Sequence, residues 1–121
     1  MKKSEIITQF LNYIDNCQKQ YDYAYEKVGI EDKRTNDLLH QLELETTTYN
    51  KRSKIATQLR ISRRDRRYYK DIVEECQPIL NFMNEQANRK TINQLKQVLG
   101  EVRKVEKYHE GRTYIPRIER R

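Results

Sequence analysis

The chain has 121 residues, 36% of them apolar and 36% charged, with a formal net charge of +7. So small an apolar share excludes a large layered core, and three Gly and two Pro are too few for the turns of an all-β fold. No apolar run approaches the ~20 residues of a membrane span. Lys2-Lys3 gives way at once to Ser4 and Glu5, unlike a signal peptide. A single helical domain in a reducing cytoplasm is expected, its Cys17 and Cys76 packed as thiols on apolar stripes.

Helix one is expected over 5–28. Ser4 is a good N-cap, and Ile7, Phe10, Ile14, Cys17, Tyr21, Ala24 and Val28 follow at alternating spacings of three and four. Ile7, Phe10, Ile14, Cys17, Tyr21 and Val28 form a seam that needs a partner, either a later helix or a second subunit; a homo-oligomer would supply the latter. Gly29 reads as a C-terminal stop, and "GIEDKR" as a short link to an antiparallel neighbour.

A long helix is expected next, from about 33 to 76, with a break near 61 as an option. Leu38, Leu39, Leu42 and Tyr49 give it an apolar face, weaker from Thr46 to Lys54, and "ETTTY" mildly disfavours helix because its threonines are β-branched. Pro78 predicts a kink or fresh start and a further helix over about 78–87. Thr91 then caps a last helix over about 91–110, with Ile92, Leu95, Leu99, Val102 and Val105 on one side. Residues 111–121 read as an extended basic tail, interrupted by Pro116. The fold class is all-α: an elongated antiparallel bundle or coiled-coil hairpin of three to four helices.

Charge is unevenly placed. Residues 1–50 carry 6 basic and 9 acidic side chains, a net −3; residues 51–121 carry 19 and 9, a net +10. Arginine outnumbers lysine 12 to 7 in that second part, and arginine suits bidentate contact with phosphate or carboxylate. The densest stretch is "SKIATQLRISRRDRRYYKDIV", residues 53–73. Its "IA…L.IS" pattern resembles the signature of helix-turn-helix DNA readers over about twenty residues, with Ser62 and Asp65 as a capping box. Arg60 stands where that turn favours Gly, and Arg66 where a recognition helix turns inward. A continuous helix needs neither concession: Ile55, Leu59, Ser62, Arg66, Tyr69, Val73, Cys76 and Leu80 keep the alternating spacing, and an arginine stem can lie along a seam with its head in water.

"SRRDRRYYKDIVEECQPILNFM", followed by "INQLKQVLGEVRKVEKYHEGRTYIPR", resembles a family of short helical proteins from temperate phages of Gram-positive bacteria, over roughly residues 55–117. The resemblance implies a mobile-element origin and the cytosol of a bacterial host, and it carries no activity across.

No catalytic set, metal-ligand spacing or glycine-rich phosphate loop is present in the sequence. His40 and His109 stand apart, and Cys76 with His109 has a plainer explanation as a core thiol and a helix-end cation. A non-enzyme without metal, cofactor or small-molecule substrate is expected. Its binding residues would be Arg60, Arg63, Arg64, Arg67, Lys70, Arg103, Lys104, Lys107, Arg112 and Tyr114, contacting nucleic acid or a nucleic-acid-handling host protein. Tyr68, Tyr108 and Tyr114 neighbour cations, where a tyrosine either packs on arginine stems or stacks on bases. The competing functions are a phage inhibitor or adaptor docking on a host nucleic-acid-handling or defence nuclease complex (anti-CRISPR-like), a helix-turn-helix regulator, and a structural coiled-coil element.

Overall fold

A computed structural model describes residues 1–45, 48–113 and 118. Among them the chain is all-α, with three helices: α1 Lys3–Leu44, α2 Tyr49–Asn84 and α3 Gln86–Gly111. No helix among the described residues is long and apolar enough to cross a membrane. The chain groups into two compact units: Ile14–Asn84, and Met1–Tyr13 with Glu85–Arg121.

In the unit 14–84, α1 and α2 pack antiparallel. Cys17 and Cys76 share a buried cluster with Leu80, covered by Tyr21, Ile72 and Ile79. Fourteen residues on, Glu31 meets Ser62, which lies fourteen residues before Cys76; Ser62 Oγ donates to Glu31 Oε2 at 2.6 Å. Equal steps along both helices keep one register. Halfway between these layers it sets Ala24, with no exposed surface, opposite half-buried Tyr69. One heptad beyond Glu31 it sets Leu38 opposite Ile55, both buried. At the middle level a small residue faces a large one, and Ala24 leaves room for the Tyr69 ring to interdigitate.

The Glu31–Ser62 layer is polar and buried: Glu31 is 4% exposed and Ser62 1%. The single Ser62 proton goes to the short contact with Glu31 Oε2. Thr35 Oγ1 can then donate to Ser62 Oγ across 3.3 Å. The other Glu31 oxygen accepts from Arg34 Nη1 at 2.5 Å. One turn further along α2, Arg66 Nε donates to Asp32 Oδ1 at 2.6 Å. No buried side-chain polar atom among the described residues lacks a partner, which is the condition for such a layer to be tolerated.

The other unit pairs the start of α1 with α3. Lys2 Nζ meets Glu110 Oε1 at 2.6 Å, Ser4 N–H donates to Glu106 Oε2 at 3.4 Å, and Arg103 Nη2 donates to Thr8 Oγ1 at 3.2 Å. The contacts climb α1 as they descend α3, so these segments are antiparallel. The hydrogen bond and charge shared by Lys2 and Glu110 raise the ammonium pKa and lower the carboxyl pKa. The pair's contribution is therefore present over the intervening range. It fades as pH falls through the lowered Glu110 pKa and as pH rises through the raised Lys2 pKa.

Several helix ends differ from expectation. Helix one does not stop at Val28: α1 runs through Gly29 to Leu44, and no glycine among the described residues has positive φ. Gly29 is exposed, costing only ~1 kcal/mol of propensity, while Val28, Glu31, Thr35, Leu38 and Leu42 continue the inward stripe. The second helix begins at Tyr49, not near 33, and is unbroken through 61. α1 ends at Leu44 and α2 begins at Tyr49, with Glu45 and Thr48 outside helix. Pro78 lies inside α2; it is exposed, so water can satisfy the carbonyl it strands. The break comes at Glu85, and Thr91 is a helical residue whose Oγ1 donates to Ala87 O at 3.0 Å rather than a cap. At the amino end Lys2 N–H is capped by Glu5 Oε2, and Ser4 is buried instead of capping. The expected tail beyond Thr113 lies outside the described residues, apart from Ile118.

Ser62→Ala is expected to leave the Glu31 carboxylate short of a donor and to cost about 1–3 kcal/mol, read by urea unfolding followed at 222 nm. Glu31→Met combined with Ser62→Ala should regain most of that loss, because an apolar layer of similar volume replaces the polar one.

Candidate nucleic-acid interface

α2 repeats every 3.6 residues, so its seam through Ile55, Ser62, Val73, Cys76 and Leu80 fixes what points away from it. Arg60, Arg64 and Arg67 fall on the side turned from that seam, and Arg63 on its flank; all four are exposed. Lys70 shares the Arg63 flank and is half-buried. None of the five is joined to a carboxylate among the described residues, whereas Arg66 is, through Asp32. The six consecutive cations of the cluster thus divide by helical phase: five available side chains, and one committed to the hairpin.

The surplus is local. Residues 51–70 hold nine Lys/Arg and one acid, Asp65. Like charges four apart, such as Arg60/Arg64 and Arg63/Arg67, each cost a few tenths of a kcal/mol on a helix surface. Polyanion binding would relieve that repulsion.

In the other unit Arg103, Lys104, Lys107 and Arg112 are exposed on or just after α3, with Arg103 turned onto Thr8. A shallow groove of about 390 Å³ lies beside it, lined by Ser4, Glu5, Thr8, Gln9 and Arg103. Tyr114 lies outside the described residues. The expected site residues that are described therefore divide between the two units, one set on α2 and one on or just after α3.

Of the expected seam, Cys17 is buried and Ile7, Ile14, Tyr21 and Val28 are half-buried. Phe10 departs from it at 49% exposed. Leu11, half-buried, takes the inward place one residue later, where the 3.6-residue turn drifts from a strict heptad.

Two features beside the arginines were not foreseen. One is the Glu31–Ser62–Thr35 layer; its only sequence signal is that Glu31 and Thr35 keep the α1 spacing beyond Gly29. The other is an aromatic cluster. Tyr23 and Tyr69 meet edge to face at 6.1 Å and 76°, and Tyr68 and Tyr69 at 5.2 Å and 74°. Lys27 Nζ lies 5.3 Å from the Tyr23 ring centre, an attractive placement of a cation on an aromatic face. Burial, then the adjacent Tyr23 phenol, pushes the Tyr69 pKa up. On the same flank of α2 Ile61 is 52% exposed and Tyr68 62%.

No group of three or more metal-ligating side chains converges among the described residues. His40 and His109 are exposed. Cys17 and Cys76 are free and buried, and burial first, with Cys17 nearby second, raises the Cys76 pKa. A thiol so held is a poor nucleophile.

No family model matches the chain, and no curated protein or solved structure does either.

The thiols give a direct check of the hairpin. An aromatic disulfide reagent should modify Cys17 and Cys76 at least about a hundredfold more slowly in buffer than in denaturant, since burial withholds the thiolate. Ser62→Ala should narrow that ratio if the polar layer holds α1 against α2.

Proposed function

We propose that the protein is a non-enzymatic binding module that engages nucleic acid through the arginine face of α2. What supports this most is the division within the cluster. Arg66 is used by the fold, while Arg60, Arg63, Arg64 and Arg67 stand exposed without carboxylate partners among the described residues. A repeated anion neutralises such a row, and its displaced counterions supply the binding free energy. Lys70 extends the row, and in the other unit Arg103, Lys104 and Lys107 of α3, with Arg112 just after it, add further exposed cations.

A second reading has its own observation. Ile61 and Tyr68 lie exposed beside the arginines, and between α1 and α2 a groove of about 300 Å³ is lined by Arg34, Leu38, Gln58, Ile61 and Ser62. Apolar side chains rimmed by cations also suit an acidic protein surface. An inhibitor or adaptor docking on a host nucleic-acid-handling complex, phage-encoded as the sequence resemblance implies, would use that combination.

Gel-shift or anisotropy titrations at several salt concentrations separate the two. Arg60, Arg63, Arg64 and Arg67 changed together to Gln should abolish most binding at moderate salt and flatten the slope of log K against log salt by about 3, as four lost phosphate contacts imply. The variant should unfold within about 1 kcal/mol of the parent or above it, since exposed like charges are removed. Arg66→Gln should do the reverse, weakening the hairpin through Asp32 while sparing the salt slope. No binding to any nucleic acid at low salt would reject the reading.

A further inference from the structure

We infer that the ligand of the α2 face is an unpaired strand of nucleic acid, with a base stacked on Tyr68 and its flanking phosphates on Arg64 and Arg67. This rests on the nucleic-acid reading of the same face and specifies its substrate class.

Tyr68 is 62% exposed, yet its ring is not loose. It is held edge to face by Tyr69 at 5.2 Å, and Tyr69, half-buried in the seam, is held in turn by Tyr23 of α1 at 6.1 Å. An exposed ring braced by a half-buried one loses less freedom on binding than an unbraced ring, which favours a stacking platform. Arg64 precedes Tyr68 by one helical turn, and Arg67 is its neighbour in sequence. Ile61, 52% exposed, lies seven residues earlier on the same flank, a second exposed apolar side chain about 10 Å away at ~1.5 Å per residue. Asp65, four residues after Ile61 and three before Tyr68, lies on this flank between them, and Asp71 lies one turn beyond Tyr68; the three arginines Arg60, Arg64 and Arg67 outnumber these two acids.

A duplex offers this surface only half of what it needs. Its phosphates could meet the arginines, but its base faces are stacked on each other and unavailable to Tyr68. An unpaired strand presents both: flat apolar faces, and phosphates one nucleotide apart. Because every base has such a face, the contact distinguishes single strands from duplex without reading sequence.

The test is fluorescence anisotropy on the full chain, with a labelled oligothymidine of about 20 nucleotides, longer than a usual single-strand footprint, and a labelled duplex of the same length. Polyglutamate serves as the non-nucleic polyanion. The single strand should bind at least about tenfold more tightly than either. Tyr68→Ala should weaken single-strand binding about five- to hundredfold, the range for loss of one stacked base. It should leave duplex binding and the salt slope unchanged, and Tyr68→Phe should retain affinity. Equal affinity for strand and duplex, no effect of Tyr68→Ala, or polyglutamate binding as tightly as the oligonucleotide would each overturn the inference. In the first two cases arginine-dependent, salt-sensitive binding would leave the nucleic-acid reading standing. Failure to bind either nucleic acid overturns both.

Discussion

The hydrogen bond from Ser62 to Glu31 governs how the hairpin of residues 14–84 displays its charges. Apolar layers alone would not fix the alignment of α1 and α2. Slipping one helix by a heptad returns every inward residue to an inward place, so the penalty in buried apolar area is small. The same slip sets Glu31 opposite Ile55 or Tyr69, leaving a buried carboxylate without the hydroxyl it needs. A buried group stranded in that way costs several times what a hydrogen bond contributes. One polar layer, satisfied in one register only, therefore does what a longer apolar seam could not.

From that register the division of the arginines follows. Placing Ser62 inward places Arg66, one turn on, along the same seam, where Asp32 receives it. The same helical phase turns Arg60, Arg64 and Arg67 outward. The net charge of α1 is not spread over α2 as a neutralising partner: it meets the cluster at a single ion pair among the described residues. The repulsion left among the exposed arginines favours no feature of the fold, and a helix of the same packing could be built with neutral residues there. That cost is consistent with an external anion being the arginines' partner.

Much of this was legible in residue order. The alternating spacing of α1 up to Val28, and of α2 from Ile55 to Leu80, predicted inward faces that are buried or half-buried with the exception of Phe10. What misled was local punctuation. Gly29, Thr91 and Pro78 carry known local preferences, about 1 kcal/mol for Gly, about 0.5–2 for a capping Thr and about 3 for Pro, yet each lies within a helix, on its exposed side. Packing of the opposite side outweighs the preference, and sequence order does not reveal the strength of that packing. Glu31 and Thr35 were hidden for a related reason. A polar residue at a seam position looks like a gap until its partner is known, and Ser62 lies 31 residues away from Glu31. The Tyr23–Tyr69–Tyr68 chain depends on the same cross-helix register, so the sequence could mark Tyr68 as near cations but not as braced.

Ser62 also decides what kind of contact the arginines can make. In a helix-turn-helix it would sit outside the helix, capping a new start, and Arg63 and Arg64 would stand at a helix N-terminus with free backbone N–H groups and a positive dipole end. In α2 it is an interior helical residue, 1% exposed, with its hydroxyl spent on Glu31. The backbone N–H groups around it are consumed by the helix, and no end is presented. The arginines instead emerge from the outer side of a helix whose inner side is occupied by α1. Long side chains on such a surface reach charges more readily than base edges in the floor of a groove. Contacts made there would set affinity and its dependence on salt, and any discrimination among ligands would have to come from the tyrosine and isoleucine beside them.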